Sequence, residues 1–576
     1  MKKRMTRLLQ PLAALSALAL TAVIHPVAAQ AASAHDGVGR APAAKATASP
    51  SADPSSGKPN EAPAGDVPKG LEKFYKQKLA WAPCKNKPQM QCANVKVPLD
   101  YKKPGGKTIT VAMAKVPAAN GKPIGSLFVN PGGPGGSGID LVSGADKTFS
   151  KALRDQYDIV GFDPRGVGSS TAVDCVSDAE LGKYLDSEFD LSTPEGKKAE
   201  KAQAEKFAKG CKEKSGELLA HVGTESAARD LDVLRGLVGD KKLNYLGFSY
   251  GTSLGGMYAN LFPKKAGRLV LDGAVDSQLG DARMGYEQRI GFEKAFERYA
   301  EYCVKGGNCP LGSSVDAAKK KMRALFDQAF KKPFPTADPK RPLNRNMLMY
   351  GVMIAMYNTA YRPYLDTGLS QLIKNNDGSF LLGWFDLAIG REGGKFKNNS
   401  DEAMTAINCA DYPSSSPSVT KKYQEKLKKE APLFSVGSDG GTDLCSLLPY
   451  HPKSNPGPYR AKGSAPIVVI GTRHDPATPY HWAQALHKTL ENSVLLTWEG
   501  EGHTAYATAG SCIQSPVDKY LLTGEVPKDG LVCPAEKPQG QNAQKQGREA
   551  QKEGVFDRKA SVKDEVFVGK PRSFVR

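Results

Sequence analysis

Short apolar runs alternate with amphipathic stretches in two parts of this chain. In the first, residues 126–130, 157–162, 243–247 and 268–271 read as buried strands. A helix is predicted from about 225 to 238, with Ala227, Leu231, Leu234 and Val238 on one stripe and Thr224 placed to cap it. In the second part, residues 467–470 and 494–498 read as strands, with a helix near 480–490 between them. Strands alternating with helices predict a mostly parallel α/β sheet with helices on both faces. Ligands of such sheets collect at the C-terminal strand ends. From about 277 to 455 the alternation is lost and helical patterns take over at 286–303, 315–330 and 347–357. An insertion of this size between two sheet strands reads as a helical lid, the alternative being a separate domain.

The flanks have a different character. Residues 1–32 have the pattern of a secretory signal peptide: Lys2, Lys3, Arg4 and Arg7, an apolar run over 8–24, then clustered small residues. A membrane anchor is the competing reading, but Gln10 and Pro11 shorten the run below the roughly 20 residues of a span. Residues 33–68, rich in Ala, Pro, Ser and Gly, read as a flexible linker or propeptide, and 536–576 as a polar C-terminal tail. The expected core thus falls into 69–276 and 456–535, with the lid, 277–455, between them. With 576 residues, 40% of them hydrophobic, the chain has ample material for a large core. A secreted, extracellular location without a membrane span is expected.

Cysteine usage agrees with export. Ten cysteines, an even number, suit an oxidising compartment. Sequential pairing would give Cys84–Cys92, Cys175–Cys211, Cys303–Cys309, Cys409–Cys445 and Cys512–Cys533; short loops favour the first and third, and sequence alone does not fix the connectivity. Zinc is the alternative, but no Cys-x-x-Cys pair is present. The formal net charge of +19 comes with no recognition helix, zinc finger or aromatic RNA-binding signature, so no nucleic-acid partner is expected. Loose association with anionic cell-wall polymers is compatible with that charge.

Chemistry enters at two overlapping Gly-x-Ser-x-Gly strings, Gly247-Phe248-Ser249-Tyr250-Gly251 and Gly251-Thr252-Ser253-Leu254-Gly255. A chain this rich in glycine would show about 0.4 such strings by chance, so context must decide. Only the first follows directly on a strand and precedes a helix, the setting of a nucleophile elbow. Ser253 falls a turn inside the helix and reads as a small packing residue. A serine hydroxyl needs a base to take its proton and a carboxylate to orient that base. His503 lies in a glycine-freed loop after the last strand, in Gly500-Glu501-Gly502-His503-Thr504. Asp475, 28 residues earlier, follows the preceding strand, with Asp272 as its rival. An oxyanion hole needs two backbone N–H groups; Tyr250, after the serine, supplies one, and the loop from Asn130 to Gly138 after an earlier strand supplies the other. A phosphate-cradling role for that loop is disfavoured because no Gly-Lys-Ser/Thr completes it.

These motifs together resemble a known family. Pro131-Gly132-Gly133-Pro134-Gly135 is similar to the His-Gly-Gly-Pro-Gly loop of proline iminopeptidase-like α/β-hydrolases, with Pro131 in place of the histidine. Asp163-Pro164-Arg165-Gly166-Val167-Gly168-Ser169-Ser170 resembles their Asp-x-Arg-Gly-x-Gly-x-Ser stretch. The elbow, lid, and 471–476 and 500–504 loops resemble those of secreted actinobacterial tripeptidyl aminopeptidases, over about residues 70–535. The resemblance implies an α/β-hydrolase fold and an oxyanion hole from Gly133 and Tyr250. It also implies hydrolysis of short peptides, tripeptides by analogy, from a free N-terminus, with no metal or organic cofactor. Glu293, Glu297, Glu301 and Asp411 are candidate carboxylates for the substrate ammonium, with none singled out. The alternatives are a carboxylesterase using the same triad and a non-catalytic cell-wall binding protein.

Overall fold

The computed structural model describes residues 67–436 and 440–535. The expected signal peptide, nearly all of the linker and the C-terminal tail lie outside these residues. Among the described residues a ten-stranded sheet organises the chain. Its strands are β1 (Ala82–Cys84), β2 (Lys87–Pro98), β3 (Thr108–Val116), β4 (Ser126–Asn130), β5 (Asp158–Phe162), β6 (Leu243–Phe248), β7 (Ala266–Asp272), β8 (Ile467–His474), β9 (Ser493–Glu501) and β10 (Leu531–Cys533). The spatial order is β1-β2-β3-β5-β4-β6-β7-β8-β9-β10. From β5 to β10 every pairing is parallel, whereas β1–β2, β2–β3 and β3–β5 are antiparallel. The strand order reverses around β4, so the loops leaving β4 and β6 open a crevice between them, the place where doubly wound sheets bind ligands.

Alternation along each central strand divides the core between the two faces of the sheet. Leu127, Val129, Leu246, Phe248, Val270, Val468 and Ile470 pack on one face with α1 (Gly138–Ser143) and a helix at Ser511–Thr523. Phe128, Tyr245, Leu269, Leu271 and Val469 pack on the other with α2 (Thr224–Leu237), α3 (Tyr250–Leu261) and a helix at Tyr480–Thr489. Between β7 and β8 the chain forms mainly helices, beginning with α4 (Asp281–Lys305) and including α5 (Ser400–Asp411). This region has its own apolar cluster, built from Phe292, Phe296, Phe326, Leu348, Leu381, Phe385 and Phe434 among others.

All ten cysteines are paired, in the sequential order set out above. The antiparallel strands β1–β3 lay outside the predicted elements; in β2 exposed Lys87, Pro88 and Gln89 precede the buried positions that begin at Met90. Thr224 is not the helix cap. Gly223 occupies that position without a side-chain bond, and Thr224 turns inward to Asp411. Long-range burial outcompetes the local cap.

The Asp163–Ser170 stretch has a structural explanation. Asp163 receives Ser137 Oγ at 2.5 Å, Ile139 N at 3.3 Å and Ser169 N at 2.8 Å, tying the start of α1 to the end of β5. Arg165, fully buried, forks onto Asp230 of α2 with contacts of 2.7 and 2.6 Å, and its remaining donors reach the carbonyls of Pro98, Leu99 and His221. Removing one partner of such a pair strands a charge in a dry site, a loss of about 3–5 kcal/mol. Asp230→Ala is therefore expected to lower the unfolding free energy by about that amount in urea titration. A surface control, Glu225→Ala, breaks only the exposed pair with Arg229 and should shift it by less than about 1 kcal/mol.

Candidate active site

Ser249 sits on the sharp turn between β6 and α3 with φ 56° and ψ −123°, a region that non-glycine residues occupy only under constraint. Its N–H is held by the main-chain oxygen of Asp272 at 2.8 Å. Neighbouring glycines make the turn sterically possible. A Cβ at Gly247 would stand 2.5 Å from Gly251 O, and one at Gly251 would stand 2.9 Å from Asn130 Oδ1. Ser253 is buried within α3, one turn on.

The loop after β4 lies directly against this turn. A Cβ on Gly132 would approach Phe248 O to 2.5 Å, Ser249 Cβ to 2.9 Å and Tyr250 N to 3.1 Å, so only glycine fits there, at φ 90°. Asn130 Oδ1 accepts the Gly132 N–H at 2.9 Å, and Gly132 O accepts that of Gly136 at 3.1 Å. The N–H groups of Gly133 and Tyr250 have no acceptor among the described residues. Tyr250 follows the serine directly, and Gly133 follows the glycine that touches the serine turn.

His503 follows β9, its ring nearly inaccessible to solvent. Nδ1 lies 2.9 and 2.8 Å from the two oxygens of Asp475. Those oxygens also accept Ala477 N at 2.9 Å, Thr478 N at 2.8 Å, Thr478 Oγ1 at 3.0 Å and Thr504 N at 3.2 Å. A carboxylate surrounded by donors fixes the tautomer of the neutral imidazole: Nδ1 carries the proton and Nε2 presents its lone pair. Nε2 is buried with no partner among the described residues. Tyr357 supports the ring from the helical region, its oxygen accepting His503 N at 2.8 Å and its own ring meeting the imidazole edge-to-face at 5.1 Å.

Comparison with known proteins follows the same line. Residues 431–533 match a family model described as TAP-like protein. The serine protease Hip1 of Mycobacterium tuberculosis is 37% identical over 478 residues, covering 79% of this chain and 91% of its own length. Carboxylesterase B of the same species is 35% identical over 450 residues, 77% of this chain and 86% of its own. The tripeptidyl aminopeptidase of Streptomyces lividans is 30% identical over 455 residues, 77% of this chain and 83% of its own. The chain belongs to the tripeptidyl aminopeptidase-like family of α/β-hydrolases. At the coarsest level its activity is that of a serine hydrolase.

In this member of the family, four supporting residues escaped the reading of the sequence. Thr478 stands within Asp475-Pro476-Ala477-Thr478, a turn whose Asp and Thr were legible as a local hydrogen-bonding motif. Asn130 sits in the glycine loop but carried no separate signal, and Tyr357 and Thr224 lie far along the chain from the groups they support. Three of the four candidate ammonium ligands are engaged elsewhere. Glu293 and Glu297 pair with Lys319 at 3.1 and 2.6 Å, and Asp411 is bound to Thr224. Glu301 is exposed on α4.

The rival acid, Asp272, does not meet the imidazole nitrogen. Its oxygens accept Ala505 N at 3.0 Å and Tyr506 N at 2.8 Å, just past His503. Burial pushes its carboxyl up to about 6, although the two N–H groups pull the other way. A carboxyl raised above its unfolded value of about 3.9 opposes folding once ionised. That cost is fully present above pH 6 and fades as pH falls toward 4. Asp272→Asn lacks this titration and leaves an N–H poorly matched, a loss of about 1–3 kcal/mol. The gap in unfolding free energy between wild type and Asp272→Asn should be wider at pH 5 than at pH 8, measured by urea titration at both.

Proposed function

We propose that this chain is a secreted serine exopeptidase that releases short peptides, tripeptides in the favoured case, from free N-termini through an acyl-enzyme. The observation that carries the chemistry is the His503–Asp475 pair with its vacant, lone-pair-bearing Nε2, together with a serine held at positive φ. In this reading Ser249 Oγ attacks the scissile carbonyl carbon and its proton passes to His503 Nε2. Asp475 orients the ring and offsets the imidazolium charge. The N–H groups of Gly133 and Tyr250 receive the oxyanion, each contributing roughly 3 kcal/mol in the transition state. Collapse of the tetrahedral adduct breaks the C–N bond, and Nε2–H protonates the departing amine. Water, deprotonated by the same nitrogen, then attacks the ester carbon and restores Ser249.

The helical region between β7 and β8 acts in this proposal as the lid that selects the substrate. Support comes from the contact between Tyr357 and His503 and from α4, where a Cβ on Gly291 would collide with Pro476 beside Asp475. The exopeptidase reading rests on the relatives named as a serine protease and a tripeptidyl aminopeptidase. Export is supported by the five disulfides. The relative named carboxylesterase B favours one second reading, an esterase using the same groups.

The decisive assay compares a tripeptide p-nitroanilide with a free N-terminus, its N-acetylated form and a p-nitrophenyl ester. The exopeptidase reading expects the free tripeptide to be cleaved and the acetylated one spared. Turnover of the ester alone selects the esterase, and equal turnover of both peptides rejects the aminopeptidase. Ser249→Ala is expected to lower kcat by roughly 10^5–10^6-fold and Asp475→Asn by roughly 10^3–10^4-fold. Full activity in a folded Ser249→Ala protein would refute the catalytic assignment.

A further inference from the structure

Helix α5 touches both sides of the crevice around Ser249. Near its start it lies against the glycine loop: a Cβ on Gly135 would stand 2.6 Å from Ser400 O and 3.1 Å from Met404 N. At its end, Asp411 reaches under the serine turn. Its Oδ1 accepts Thr224 N at 2.7 Å and its Oδ2 accepts Thr224 Oγ1 at 2.5 Å. Thr224 Oγ1 is in turn 2.6 Å from the phenolic oxygen of Tyr250. A threonine hydroxyl has one proton. Given to the carboxylate, it leaves the oxygen as an acceptor, so Tyr250 donates to Thr224 and Thr224 to Asp411. All three residues are buried.

The far end of this relay is firmly anchored. Asn399, preceding α5, accepts Gly168 N at 2.8 Å and donates to Gly166 O and Val173 O at 2.8 and 2.7 Å. Glu402 accepts Cys175 N and Val176 N at 2.8 and 3.0 Å, and Cys409 is bonded to Cys445. Apolar residues of α5, including Ala403, Ala406 and Ile407, belong to the sheet-side core rather than to the helical cluster. The helix is part of the hydrolase body, although it lies within the inserted region.

We infer that Asp411 is a positioning residue for the oxyanion hole, holding Tyr250 through Thr224 so that the Tyr250 N–H stays aimed at the developing charge while α5 backs the glycine loop opposite. The inference rests on the reading of Gly133 and Tyr250 as the oxyanion donors. A merely structural Asp411 would affect folding but not discriminate between substrate and transition state.

Tyr250→Phe removes only the hydroxyl at the near end of the relay, Thr224→Val the middle link, and Asp411→Asn the charged end. Each is expected to lower kcat about 10- to 100-fold with KM within about twofold, since one misaligned oxyanion donor costs up to 10^2–10^3-fold. The affinity of a tripeptide aldehyde, whose serine adduct carries the tetrahedral oxyanion, should fall in step with kcat. Because one relay is broken in each case, the double variant Tyr250→Phe/Thr224→Val should lose no more than the worse single variant. Wild-type kcat and aldehyde affinity in folded Tyr250→Phe and Asp411→Asn would overturn the inference, as would losses that multiply in the double variant. A parallel Ser249→Ala measurement separates the failures. If that variant is inactive while the relay variants are unaffected, only the relay is wrong; if it is active, the catalytic reading beneath it is wrong.

Discussion

Asp272 joins the two halves of the site. Its main-chain oxygen holds the N–H of Ser249, and its carboxylate holds the N–H groups of Ala505 and Tyr506 beyond His503. This is possible because of sheet register: Asp272 pairs with Phe248 of β6 on one side and with Ile470 of β8 on the other. β6 and β7 therefore end at one level, where the serine turn and the brace leave the sheet side by side, while β8 runs on four residues past Ile470 to His474 before the turn bearing Asp475. A one-residue slip of β7 would turn its apolar positions to the wrong faces and point this carboxylate away from the histidine loop. The burial of Leu269, Val270 and Leu271 thus enforces the geometry of the polar groups above them.

Around that brace the chain tolerates local cost. Ser249 at φ 56° and Thr504 at φ 67° are non-glycine residues in left-handed or sparsely populated backbone, at about 1–3 kcal/mol each. They sit on either side of Asp272, and their N–H groups are both committed, to Asp272 O and to Asp475 Oδ2. Fixed hydrogen bonds and close-packed glycines offset the strain. The serine backbone therefore has little freedom, while no hydrogen bond joins its side chain to His503, whose Nε2 has no partner among the described residues.

The sequence revealed most where a signal is local. The strands β4, β6, β7 and β8 carry apolar runs buried on both faces, β9 only a short one at its centre, and the turn at Ser249 is announced by its glycines. The rival readings of Asp272 and Asp475 were separable only in three dimensions, because each follows a strand and only the register decides which meets His503. Thr224 shows the limit most clearly: locally it is a good helix cap, yet its hydroxyl is taken by Asp411, 187 residues away. Tyr357 is similar, lying 146 residues before the histidine it supports, within a helical pattern that carried no catalytic mark. Buried polar contacts of this kind depend on tertiary placement, and no period or motif encodes them.

The inserted helices divide into two mechanical parts. Residues such as Phe292, Phe326, Leu348, Phe385 and Phe434 satisfy their burial among themselves, so their cluster needs other means of attachment to the sheet. Part of that attachment is polar: Arg341 and Arg391 meet Asp186, and Arg345 meets Glu188. Half-buried ion pairs of this sort hold orientation more than they add stability. Helix α5, by contrast, shares the hydrophobic core of the sheet and stays with it. The region is nevertheless not free to swing as a whole, because Tyr357 O accepts the His503 N–H. A wide opening that carried Tyr357 away would leave that buried N–H unsatisfied, at about 1–3 kcal/mol, and would release the imidazole from its edge-to-face support. Displacements of the helical cluster that spare Tyr357 leave the His503 N–H bonded and its ring in contact.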